Sequence, residues 1–181
     1  MRTGVAPGGA GVRTGIGSMK NAYLGAALLA ATSLVATTPA QAQACWGTEA
    51  VNAAKLRNLD IMLMVTALRC RMGADNFQPD YYDFSAAHQA ELNVANGVLR
   101  AQFTGGGATA ANRALDKMST GIANSYGMGH PELGCSELHQ ITRDLAGTRV
   151  GGALLDAADA LVGAPTIPGG SCAMRVATVR R

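Results

Sequence analysis

Residues 45–72 read CWGTEAVNAAKLRNLDIMLMVTALRCRM. Leu56, Leu59, Leu63, Ala67 and Cys70 recur at steps of three and four, which sets them on one stripe of a helix of about 3.6 residues per turn. Val51, Met62, Val65, Leu68 and Met72 widen that face, while Lys55, Arg57, Arg69 and Arg71 keep another side wet. No Pro or Gly interrupts Thr48 to Met72; Thr48 is placed to cap the start and Gly73 to stop the end. Ile61 to Val65 is apolar all round, which predicts burial on several sides, and is too short to cross a membrane. The spacing predicts one long helix with a cysteine before its start and another at its end, covered by the rest of the chain.

Upstream, Met19-Lys20-Asn21 precedes AYLGAALLAATSLVATTPAQAQA, residues 22–44. A basic start, an apolar core and a small-residue ending form the pattern of a secretory signal peptide. Cleavage is expected after Ala42 or Ala44. Residues 1–18 are Gly-rich without apolar period and read as an upstream extension, with Met19 the expected start of the signal peptide, 19–42. Cys45 is a poor lipid acceptor because Gln43 lies two positions before it, so it reads as a disulfide partner. The address is therefore periplasmic or secreted.

Without residues 1–42 the 15 basic residues fall to 12, equal to the 12 acidic ones. The basic pI of the whole chain belongs largely to the leader and is not read as affinity for nucleic acid, and no nucleic-acid partner is expected. Low aromatic content argues the same way, since base stacking needs aromatic platforms. About 139 residues remain, enough for one core. The expected partner is an envelope protein or a small ligand, with no stable membrane span after cleavage.

Downstream, GADNFQP (73–79) reads as a turn. Asp80 is placed to cap a second helix, Tyr81 to Phe103, with the stripe Tyr81, Phe84, His88, Leu92, Ala95, Leu99 and Phe103. Thr104 and three glycines break it. A third helix is predicted over Thr109 to Tyr126, with Ala111, Leu115, Met118, Ile122 and Tyr126 on one face. Pro131 suits the first position of a fourth, with Cys135, Leu138, Ile141 and Leu145 inward. Gly147, Gly151 and Gly152 are expected to kink or split it before Leu154, Leu155, Ala158 and Leu161. The fold class is all-α: an antiparallel four-helix bundle over 43–163, its fourth helix kinked or split, followed by a Pro/Gly-rich tail, 164–181, closed by Cys172.

Four cysteines in an exported chain imply two disulfides, with three pairings open. Along a helix Cys45 and Cys70 would stand roughly 37 Å apart, far beyond the ~7 Å reach of a disulfide. With four antiparallel helices, Cys135 opens the fourth beside Cys70, and Cys172 returns to Cys45. The expected bonds are Cys70–Cys135 and Cys45–Cys172.

Several residues carry candidate chemistry. His130, Cys135 and His139 lie within ten residues, and Cys135 and His139 share a helix face at ligand spacing. With Cys70 they form a candidate zinc set, against which stands oxidation of both cysteines. Met128-Gly129-His130 is a candidate copper pair. His88, beside Ser85 and Glu91, reads as a core or half-buried histidine with one hydrogen-bond partner; a general base would need a carboxylate and a nucleophile converging on it. No G-x-S-x-G motif occurs. Gly105-Gly106-Gly107-Ala108-Thr109-Ala110 matches a relaxed nucleotide pattern, but follows a helix rather than a strand and reads as a loop. No cofactor is called for.

The pieces CW (45–46), LDIMLMVTALRCR (59–71) and IANSYG (122–127) before Cys135 resemble a group of small exported, cysteine-containing helical proteins of alphaproteobacteria. The likeness covers roughly Cys45 to Cys135 and transfers no catalytic residue. Such proteins sometimes carry the label S-adenosyl-L-homocysteine hydrolase. That enzyme family is larger, cytoplasmic and built on an NAD-binding Rossmann domain, and this chain lacks the strand-first glycine fingerprint. The expected function is binding or accessory work in the envelope; the alternative is metal or redox chemistry at His130, Cys135 and His139.

Overall fold

In the computed structural model, residues 45–172 are described, apart from the Thr104 side chain. The upstream extension, the signal peptide with its cleavage sites, and residues 173–181 lie outside them. The described residues form six α-helices: α1 Thr48–Cys70, α2 Gln78–Ala87, α3 Gln89–Gln102, α4 Gly107–Ser125, α5 Cys135–Gly147 and α6 Ala153–Leu161, with a 3-10 turn, Thr104–Gly106, before α4. No described helix is long and apolar enough to cross a membrane.

Helix α1 is the centre, packing against each of α2, α3, α4, α5 and α6. Its predicted stripe is buried, and so are Ala50, Ala53, Ala54, Ile61, Met62 and Thr66 around it. The Thr66 hydroxyl is satisfied inside the core by donating to the Met62 carbonyl, 2.7 Å away. Two expected members of the face are not covered: Leu68 and Met72 are 41% and 88% exposed. The helix stops at Cys70, so Met72 falls in the turn beyond it, where Gly73 N–H reaches the Cys70 carbonyl at 3.1 Å. At the other end Gly47, not Thr48, is the capping position; Thr48 is already helical, and Glu49 meets the helix dipole.

The second predicted helix is two. His88 has φ −111° and ψ 12°, between α2 and α3. Its ring nitrogen Nε2 lies 2.9 Å from the Leu145 carbonyl near the end of α5. Carbonyls in a helix's last turn lack intrahelical donors, so a buried imidazole N–H there is favourable. That long-range bond accompanies the break, while the stripe from Phe84 through His88, Leu92, Ala95 and Leu99 stays buried. Helix α2 also starts earlier than predicted: Pro79 lies in its first turn, and Asn76 Oδ1 accepts the Gln78 N–H at 3.1 Å.

Pro131 does not begin the next helix. His130 Nδ1 accepts the Glu132 and Leu133 N–H groups at 3.2 and 3.1 Å, and Glu137 Oε2 accepts that of Gly134 at 3.1 Å. Side chains thus occupy these backbone donors in a turn, and α5 starts at Cys135. The expected split of the last segment falls at 148–152, where Gly152 takes φ +87° ahead of α6.

The disulfides are Cys70–Cys135 and Cys45–Cys172, the pairs chosen by the helix argument. The first joins the last residue of α1 to the first of α5. The second joins Cys45, shortly before α1, to Cys172, beyond the segment that follows α6. The chain from Cys135 to Cys172 therefore starts at the C-terminal end of α1 and finishes near its N-terminal end. Beside the outer bond, Trp46 and Ser171 form a parallel bridge, with Trp46 N–H to the Gly170 carbonyl (2.8 Å) and Cys172 N–H to the Trp46 carbonyl (2.9 Å). Trp46 is buried and meets Phe103 edge-on at 5.6 Å between ring centroids.

Candidate binding groove

After α6 the chain does not trail away. Residues 163–168 run along α4 and leave a groove of about 860 Å³ between the two. Ala114, Met118, Gly121, Ile122 and Ser125 recur along α4 at three- and four-residue steps, so one helix face forms a wall. Pro165, Ile167 and Pro168 form the opposite wall, and Phe103, Tyr126 and Asn58 complete the lining. Two prolines suit an extended wall because their φ is fixed and they carry no N–H to satisfy. At Gly121 an added Cβ would meet no other atom within 4 Å, so the wall there faces open space.

The groove is mainly apolar, with a few polar groups. Lys117 is the sole charged residue of its lining, and no carboxylate contributes. The Asn58 side-chain oxygen is buried without a hydrogen-bond partner among the described residues. Tyr126 is buried, which pushes its hydroxyl pKa upward and keeps it a neutral donor. Apolar walls with sparse polar groups, in a volume within the ~300–1,000 Å³ typical of small-molecule sites, make this cleft the candidate site.

The sequence-derived metal set is not assembled. Cys135 and Cys70 are joined in a disulfide and offer no thiolate. His130 has both ring nitrogens engaged: Nε2 lies 2.8 Å from the Leu161 carbonyl, and Nδ1 accepts two backbone N–H groups. Its contacts tie the 126–133 turn to the end of α6, and its ring stacks on Tyr126. His139 faces elsewhere, with Nε2 3.0 Å from Asp80 Oδ2 and its ring stacked on Phe77. Among the described residues no group of three or more His, Cys, Asp or Glu side chains could hold a metal ion. Met128 is 83% exposed, whereas His130 points its Nε2 to Leu161, so the copper pair does not converge.

Two polar clusters replace it. Asp80, read in the sequence as a cap, receives both His139 and the Arg143 Nε at 3.1 Å, clipping α2 to α5. Arg143 also comes within 2.6 Å of the same His139 Nε2, which can donate to Asp80 or accept from Arg143 but not both. Among the described residues no hydroxyl or thiol hydrogen-bonds this cluster. Between α1, α2 and α4, Asp60 accepts the Tyr81 hydroxyl at 3.1 Å and faces Arg57 at 3.5 Å, while Arg57 donates twice to Ser119. Burial raises the Asp60 pKa against the lowering influence of Arg57 and Tyr81. Burial and the neighbouring Asp60 charge together raise that of Tyr81.

His88 keeps the role expected of it, one buried hydrogen bond. Glu91 stands 3.9 Å from its Nδ1, beyond hydrogen-bond length. Sequence reading missed the groove because Met118 and Ile122 carry the same spacing as the core residues Ala111 and Leu115. Helical period gives a face but not whether another element seals it. No protein-family model matches the chain, and neither a curated protein nor a solved structure matches it.

Proposed function

We propose that this is an exported binding protein of the cell envelope that holds a small, mainly apolar molecule in the groove between α4 and residues 163–168. The observation that carries the reading is a cleft of about 860 Å³ walled by Met118, Ile122 and Ile167, to which the lining adds no negative charge. Such walls favour an apolar body by removing its surface from water, at about 25 cal/mol per Å². Lys117 favours a neutral or anionic ligand over a cationic one. Export is supported by the signal-peptide pattern and by two disulfides, which persist in oxidising compartments. The same proposal includes the architecture: α1, α2 with α3, α4, and α5 with α6 as four antiparallel legs, supported by the two cystines at opposite ends of α1. It also includes kinship with the small exported alphaproteobacterial proteins named above.

The test uses the mature, oxidised protein and the uncharged dye N-phenyl-1-naphthylamine, whose fluorescence rises in apolar surroundings. Saturable binding is expected. Gly121→Leu places a side chain into the open side of the groove and is expected to abolish binding while thermal unfolding stays unchanged or improves. A wild-type protein that binds no dye, or a Gly121→Leu variant that binds equally, refutes the groove.

A further inference from the structure

Residues 163–168 lie between two fixed points. At the near end is α6, whose Leu161 carbonyl is held by His130. At the far end is Cys172, bonded to Cys45. We infer that the Cys45–Cys172 disulfide is a redox gate for the groove: reducing it frees the wall formed by Pro165, Ile167 and Pro168 and weakens ligand binding, while the helical core stays folded. This rests on the groove reading above.

Three observations converge on it. Cys45 and Cys172 are both exposed, whereas in the other bond Cys70 is 6% exposed within the core cluster and Cys135 is partly buried against it. Exchange with an external thiol requires access to the sulfur, so the outer bond is reduced first. Little else fastens the far end: two backbone hydrogen bonds to Trp46 and the partial burial of Ile167, with Ala164, Thr166 and Pro168 to Ser171 exposed. Each such bond is weak on its own, because opening it exchanges a protein partner for water. Finally, the gate sits on the groove's own scaffold, because Trp46, next to Cys45, packs on Phe103, which lines the groove.

The reductant is a dithiol, free or on a thiol oxidoreductase. One of its thiolates attacks a sulfur of the bond, forming a mixed disulfide and releasing the other cysteine as a thiol. Its second thiolate then displaces the remaining cysteine. Cys45 and Cys172 together gain two electrons and two protons, and the dithiol leaves as a disulfide.

The experiment measures N-phenyl-1-naphthylamine affinity, far-UV circular dichroism and the emission of Trp46, the chain's single tryptophan. It compares the oxidised protein, Gly121→Leu, the Cys45→Ser/Cys172→Ser double variant, and wild type treated with dithiothreitol under native conditions and then alkylated for mass spectrometry. Expected are selective alkylation of Cys45 and Cys172, affinity weaker by about tenfold or more in both the reduced protein and the double variant, red-shifted Trp46 emission and unchanged helicity. Reoxidation restores binding. If the oxidised protein binds no dye, or Gly121→Leu binds normally, the groove reading fails and the gate with it. If both groove controls behave as expected and opening the outer bond leaves affinity within about twofold, the gate alone is refuted. Reduction of Cys70–Cys135 at the same dithiothreitol concentration as the outer bond also refutes it. Should the double variant lose helicity, the natively reduced wild type decides.

Discussion

The two cystines close the same return path along α1 at opposite ends, and their surroundings differ. Cys70 belongs to the inward stripe of α1, and its bond holds two helices directly end to start. Cys45 and Cys172 are exposed and tie two non-helical segments across a two-bond bridge. Sequence separations are 65 and 127 residues, so chain entropy alone gives about 4 kcal/mol to the inner bond and about 5 to the outer. Entropy and packing therefore rank the two bonds in opposite order. One kind of crosslink thus fastens a packed core at one end and an exposed surface segment at the other.

The largest expected effect tests that ranking. Cys70→Ala/Cys135→Ala should lower the urea midpoint more than Cys45→Ala/Cys172→Ala, because buried sulfur packing is lost together with the restraint. Equal midpoints, or a larger loss from the outer pair, would show that chain entropy dominates and that the inner bond is not a core element.

The two histidines sharpen the same contrast. Both aim Nε2 at the carbonyl of a leucine late in a helix, Leu145 for His88 and Leu161 for His130. His88 is 7% exposed, while His130 is only half-buried. His88→Ala should cost about 2 kcal/mol through a lost bond and a partial cavity, and His130→Ala about 1, since water can replace its bonds. Chemical denaturation measures both, and a larger cost at His130 would make the groove end the more rigid one.

Gly121→Ala should stabilise α4 by up to about 1 kcal/mol, because the added Cβ meets no neighbour within 4 Å and alanine favours the helix. A fall in melting temperature would mean that the groove is already filled at that point.

The smallest effect is a pH slope from the core. Burial raises the Asp60 pKa above 3.8, so the folded state holds the proton more tightly than the unfolded chain. Stability from this group is then present below 3.8 and falls as pH rises from there through the raised folded value. Asp60→Asn should flatten that slope between the two values, measured by urea unfolding at a series of pH values. An unchanged slope would place the titration elsewhere.

Much of this was legible from residue spacing. The stripe of α1, the burial of Ile61 to Leu63, the split among Gly147, Gly151 and Gly152 and the exclusion of a Cys45–Cys70 bond follow from helical period, rise per residue and disulfide reach. All are local or one-dimensional constraints. The break at His88 was not legible, because it accompanies a bond to Leu145, 57 residues away. Nor was the start of α5, where His130 and Glu137 hold the turn's N–H groups. Asp80 looked like a cap until α5 brought His139 and Arg143 to it.

By itself, then, the sequence determined which faces are apolar and that Cys45 cannot meet Cys70, since a helix repeats every 3.6 residues or so, and rises steadily, whatever surrounds it. Only the tertiary structure decided which apolar faces are sealed. Leu115 and Ile122 lie on one stripe of α4, yet Leu115 is buried in the core and Ile122 lines the groove. The difference comes from where α1 and residues 163–168 pass over that stripe, and a long-range placement of that kind leaves no mark in the spacing of α4.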